Sequence, residues 1–118
     1  MLRDWDRQRA SAFVAGDPAA LSALYVSSSG LARQDLRTLR GYQRRGVRVV
    51  ELGSQTASAK VLTVSSRVVE LAVVERLGVV RVAVAGVHRT LPPSRFERRV
   101  LRFERVRGSW RLSSVRAA

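Results

Sequence analysis

Apolar positions recur with helical spacing over the first third of the chain and, after Gly46, with the alternation of strands. Between Asp4 and Ala15, Trp5, Ala12 and Phe13 stand at i, i+7 and i+8 and share one helix face, leaving Arg3, Arg7 and Arg9 to solvent or the rim. The stretch Gly16-Asp17-Pro18 then stops one helix and starts the next. Glycine supplies the left-handed residue that ends a helix cheaply, aspartate accepts a bond from the next helix's free amides, and proline fits the first helical position. A short second helix turns Leu21, Leu24 and Tyr25 inward before SSSG (27–30) breaks it. A third, from about Ala32 to Arg45, carries Leu36, Leu39 and Tyr42 on its apolar side, with Arg33, Arg37, Arg40 and Arg44 on other faces. Gly46 ends it.

From Val47 the period is near two, and strands are expected at Val47–Leu52, Ala59–Ser65, Val68–Leu77, Val79–Ala85, Arg95–Val106 and Ser109–Val115. RGS (107–109) signals a tight hairpin and LPPS (91–94) a longer connection. Helices followed by hairpin-linked strands make an α+β domain, three N-terminal helices on an antiparallel sheet. Two features bend that sheet. GSQTAS (53–58) is small and polar between strand-like runs, suited to a kink or bulge. In RFERRVLRFERV (95–106) the apolar parity slips from Phe96 and Val100 to Leu101 and Phe103, which a bulge near Val100 would restore. Val69, Leu71 and Val73 share a face, yet Val68, Ala72 and Val74 occupy the other. A sheet with one wet face alternates more cleanly. The pattern points to a second subunit on the far side, a homodimer across the sheet; the alternative is that some valines simply face water.

At 118 residues the chain is one domain, residues 1–118, long enough for a core without staples. It has no cysteine, so disulfides and thiolate metal sites are excluded. No run approaches a membrane span, and the charged start MLRDWDRQRA is neither a signal peptide nor an anchor. The expectation is a cytoplasmic protein, or the soluble part of a longer anchored or exported chain. The formal charge is +13, carried almost wholly by arginine with Lys60 the one lysine, as in GC-rich coding. That excess attracts anions without conferring specificity.

The order helix, AGDPAAL, helix, third helix ending YQRRGVRV, then a long sheet closing on GSWRLSSV, resembles the nuclear-transport-factor-2-like superfamily. This group, also called cystatin-like or ketosteroid-isomerase-like, includes polyketide-cyclase-like proteins, and the chain is most similar to small actinobacterial members of unassigned function. The similarity covers essentially the whole chain, with AGD between the first helices and Gly108, Trp110, Arg111 and Leu112 in the last hairpin as its motifs. The resemblance implies a cone-shaped α+β barrel, a strongly curved sheet wrapped around the first helix with a pocket at its open end. It also implies that any enzyme here uses a pocket carboxylate, or a histidine with a carboxylate, as base, and Tyr or Asp donors for an oxyanion.

Among the strand carboxylates Glu51, Glu70, Glu75, Glu97 and Glu104, only Glu75 shares the parity of Val69, Leu71 and Val73. It is the acid aimed at a pocket, with a cross-strand ion pair to an arginine as its ordinary use. His88, the single histidine, is expected on a connection or strand end, where such a residue is usually solvated. Neither makes a convincing catalytic base. No metal-ligand spacing, phosphate loop or nucleophile arrangement is visible, so no metal or cofactor is expected. Asp17 is a cap, and Asp35 reads as a helix N-terminal residue favoured by the dipole. Trp5, Phe13, Tyr25, Tyr42 and Trp110 could line a cavity for an apolar small molecule, the tyrosines at its rim, or Trp5, Phe13 and Trp110 could be core. The segment from Arg95 to Arg111 interleaves arginines with aromatics, as single-stranded nucleic acid would require. Glu97 and Glu104 interrupt it and its aromatics sit at core-like parities, which weighs against that partner. The reading reached is a non-catalytic pocket or interaction domain, with a small isomerase, cyclase or dehydratase as the alternative and anionic-polymer binding as a weaker one.

Overall fold

The computed structural model describes all 118 residues. Helix α1 runs Leu2–Ala15 and α2 Pro18–Ser22, joined as the Gly-Asp-Pro chemistry requires. Gly16 is left-handed at φ 63°, the Asp17 carboxylate accepts from the Ala20 amide at 3.1 Å, and Pro18 opens α2. A single 3₁₀ turn, Ser27–Ser29, leads into α3, Ala32–Arg44. Seven strands follow: β1 Val47–Glu51, β2 Ser54–Val64, β3 Val68–Leu77, β4 Val80–Val84, β5 Val87–Leu91, β6 Glu97–Val106 and β7 Ser109–Ala117.

The strands form two antiparallel sheets, β1-β4-β5 and β2-β3-β6-β7, where one continuous wrapping sheet was expected. The core between helices and sheets is built on Trp5, Phe13, Leu21, Leu39, Leu71, Val82, Leu101 and Phe103. Trp5 stands edge-on to Phe103 with ring centroids 5.6 Å apart, so α1 packs on the inner face of the larger sheet. The chain after α2 is stitched to the last strand: the Val26 amide donates to the Leu112 carbonyl and the Leu112 amide to the Leu24 carbonyl, each at 2.9 Å.

Three strand expectations need correction. No strand is expected between Ala85 and Arg95, with His88 on a connection or strand end, yet β5 forms at Val87–Leu91. It exists because Ala85 and Gly86, at φ 49° and 78°, make a two-residue turn of the hand that matches strand twist. Alanine rarely takes that conformation, so the sequence carries little warning of it. The segment 53–58 does hold an irregularity, a register shift between Thr56 and Ser58, but β2 already begins at Ser54 and contains a second shift between Val61 and Thr63. No bulge lies at Val100: β3 and β6 pair without interruption from Val68↔Glu104 to Glu75↔Glu97. The parity slip arises because Val100 is buried on the outer face beside Ala72, while Leu101 and Phe103 face the core. The nearest irregularity is in β7, where Arg102↔Ser114 is followed by Phe103↔Leu112.

Candidate functional site

A cavity of about 450 Å³ opens between the start of α1, the start of α3 and the inner face of β3, β6 and β7. Its wall is apolar on one side, from Trp5, Leu31, Leu101, Leu112 and Val115, and charged on the other, from Asp6, Glu75, Arg95 and Arg99. The LPPS connection brings Ser94 and Arg95 to the mouth. The Leu77 amide donates to Ser94 Oγ and the Ser94 amide to the Leu77 carbonyl, both at 2.9 Å, pinning the connection to the end of β3.

The cavity floor is a closed polar unit. Arg9 lies about one helical turn before the end of α1's inward stripe, between Trp5 and Phe13 at i+4 spacing, and so is carried inward rather than to solvent. Its Nε and Nη2 donate to the two Asp35 carboxylate oxygens at 2.7 and 2.8 Å, and the Tyr25 hydroxyl donates to Asp35 Oδ2 as well. Burial works against the Arg9 charge, but the Asp35 carboxylate more than offsets it and holds the guanidinium above its ordinary pKa. Burial would raise the Asp35 carboxyl too; the hydrogen bonds and charge of Arg9, with the Tyr25 hydroxyl, bring it below its usual value. Tyr25 is pushed up by burial and by the Asp35 charge. Such bidentate, charge-assisted bonds are among the stronger ones in proteins.

The mouth is different. Burial, with the negative charge of Glu75 behind it, pushes the Asp6 carboxyl up to about 6 against the lowering effect of Arg9. Glu75 is raised by burial, with Arg99 and Arg9 opposing. Its nearest cation, Arg99 Nη1, is 3.8 Å away, while Arg99 Nη2 sits 2.6 Å from Glu97. The expected cross-strand pair thus exists but is loose, and Glu75 faces the cavity as its parity required.

Of the five aromatic candidates, Trp5 and Tyr25 line this cavity. Trp5 Nε1 donates to the Leu24 carbonyl at 2.9 Å, and its ring meets Tyr25 edge-on at 5.5 Å. Phe13, Tyr42 and Trp110 are not among the lining residues. Phe13 is core beneath Arg9, Tyr42 lies under the Arg45 guanidinium, and Trp110 packs at the core edge near Arg105. His88 is exposed on β5, its Nδ1 3.5 Å from Arg81 Nη2, and does not reach the cavity. Sequence reasoning passed over Asp6, left Arg9 to solvent or the rim where the structure turns it inward onto Asp35, and gave Asp35 only a helix-dipole role. A signal was present for two of them: Arg9 interrupts the Trp5–Phe13 stripe, and Asp35 stands at i−4 from Leu39, and a charge on an apolar stripe needs a partner on another one. No group of three or more metal-ligating side chains converges.

No protein-family model and no curated protein sequence matches the chain. Solved structures do. A cystatin-like-fold protein of Novosphingobium aromaticivorans superposes with a TM-score of 0.54 at 19% identity, covering 97% of this chain and 76% of that one. The fold is NTF2-like. A Rhodospirillum rubrum NTF2-like protein of unknown function in nutrient uptake gives 0.56 at 17% identity, with 98% and 94% covered. An NTF2-like family protein of Streptomyces avermitilis, provisionally named a dehydratase, gives 0.57 at 13%, with 98% and 92% covered. At these identities the likeness fixes the NTF2-like fold and leaves the chemistry to the cavity. No helix of the chain is long and apolar enough to cross a membrane.

Proposed function

We propose that this domain binds a small, largely apolar molecule in the cavity beside α1, with its apolar body against Trp5, Leu101 and Leu112 and a polar end at the mouth. The observation that carries this reading is the division of the wall: a floor whose polar groups bond one another, and a rim whose charges are loosely partnered. A satisfied floor offers a ligand shape, and unsatisfied rim groups offer orientation. Binding without turnover fits a floor in which Asp35, the best-aligned carboxylate, is already engaged by Arg9 and Tyr25.

Trp5 is the natural probe. Titration with 8-anilinonaphthalene-1-sulfonate should quench its emission saturably, and Val115→Trp, at a half-exposed wall position, should abolish the effect while leaving the fold intact. Unchanged binding in that variant would place the ligand elsewhere. A second reading, a small isomerase, cyclase or dehydratase acting on an apolar substrate, draws support from Asp6, a cavity carboxyl pushed up to about 6 and so poised for proton transfer near neutral pH. It requires turnover that Asp6→Asn or Glu75→Gln removes while binding persists.

A further inference from the structure

The outer face of the four-stranded sheet carries a pattern that neither the core nor the cavity uses. One rung across the sheet reads Lys60–Ala72–Val100–Arg116, each residue directly opposite the next. Arg98 and Arg102 lie two residues either side of Val100 on β6 and therefore on the same face. Val100 is only 7% exposed and Ala72 is half-buried, whereas Lys60, Arg98 and Arg116 are exposed. Bases thus ring an apolar centre, about 14 Å across the strands and about 13 Å along them. The centre is shielded by long side chains whose stems cover apolar surface while their heads stay wet.

Charge on this face is unbalanced. Lys60, Arg98, Arg102, Arg111 and Arg116 meet only Glu70 and Glu104. The pairs that form are long, Arg116–Glu70 at 4.0 Å and Arg102–Glu104 at 3.8 Å, and Arg111 Nε has no hydrogen-bond partner. Arg98 forms no ion pair within 4.0 Å of any carboxylate. A second copy laid on this face would double the positive excess, which disfavours the homodimer that the two-sided apolar pattern first suggested. A nucleic acid would find phosphate partners at the ring, but a valine and an alanine at the centre where base stacking needs an aromatic, and two glutamates among the bases.

We propose that the outer face of β2-β3-β6-β7 is a docking surface for an acidic polypeptide, whose apolar side chain lies over Ala72 and the long side-chain stems that shield Val100 while its carboxylates meet Lys60, Arg98, Arg102 and Arg116. A desolvated centre inside a charged rim is how compact interfaces concentrate their binding energy, and the charges set encounter rate and partner choice.

The test uses the full chain and a synthetic peptide repeating Glu-Leu-Glu-Glu, with polyglutamate and polyuridylate as comparison probes, followed by NMR of arginine side-chain and valine methyl signals. The peptide should shift Arg98, Arg102, Arg116 and Val100 saturably and bind several-fold more tightly than polyglutamate. Arg98→Gln with Arg116→Gln should weaken it by about tenfold. The double variant Arg37→Gln with Arg40→Gln on α3 removes the same charge elsewhere and should change it by less than about twofold. Equal losses in the two double variants would reduce the effect to net charge and overturn the proposal. So would polyglutamate binding as tightly as the peptide, polyuridylate shifting the same signals as strongly, or those signals moving with protein concentration alone, the sign of self-association.

Discussion

The floor and the mouth of the cavity hold similar residues in opposite conditions. At the floor, buried Asp35 and Tyr25 and half-buried Arg9 bond one another; at the mouth, Asp6, Glu75 and Arg99 are half-buried with long or divided contacts. The electrostatic consequences follow directly. Asp35 is held below the usual carboxylate range, while Asp6 and Glu75 rise above it. Burial acts on all three carboxyls in the same direction, so the difference comes from the partner. A charge taken from water with its counter-charge becomes part of the scaffold, and one taken in without a close partner is available to a ligand.

The contrast can be broken most severely at the floor. Asp35→Ala leaves the half-buried Arg9 guanidinium without its carboxylate, and should cost about 3 kcal/mol in urea denaturation, the lower end of what breaking a buried pair costs. A triple variant, Arg9→Met with Asp35→Leu and Tyr25→Phe, should recover most of that, because a matched apolar set removes the orphaned groups. A cost under ~1 kcal/mol for Asp35→Ala, the value expected of an exposed pair, would show that the floor is not a closed unit. Tyr25→Phe removes one donor from Asp35 and should cost ~1–2 kcal/mol. At the mouth the sign reverses. A carboxyl whose folded pKa exceeds its unfolded value keeps its proton longer in the native state, so stability falls as pH rises from about 4 to about 6 and then levels. Asp6→Asn should flatten that decline and raise the melting temperature at neutral pH; a steeper decline would contradict the assignment. Asp35 works in the other direction, its contribution present above the ordinary carboxylate range and lost as pH falls below it. The smallest effect belongs to Glu75→Gln, which should leave folding and probe binding within experimental scatter; an unfolded variant would make its loose pair with Arg99 structural.

Much of the fold was legible because local chemistry and global pattern agree in it. Gly16-Asp17-Pro18 does what its three residues do anywhere, and the bounds of β3 follow from the alternation of Val69, Leu71 and Val73. β5 was hidden by an alanine at positive φ, and the division into two sheets depends on pairings between distant strands that periodicity does not encode. The cavity was half legible. Glu75 and Trp5 could be placed by parity and helical face, since each depends only on its own element. Arg9, Asp35 and Tyr25 could not be joined, because their contact spans three elements and arginine's default position is the surface. Val100 misled for a related reason: its burial comes from neighbouring long side chains on the outer face, which a residue-by-residue pattern reads as a slip in register.

The stitch between Val26 and Leu112 bears on how the molecule is made. It joins the start of the chain to its final strand, and contacts of such sequence separation close late and slowly. Tyr25 sits within that stitch, bridged to Leu112, so the position of its hydroxyl against Asp35 depends on the last hairpin. Leu112 and Val115 of β7 also line the cavity, so its apolar wall is complete only with that strand in place.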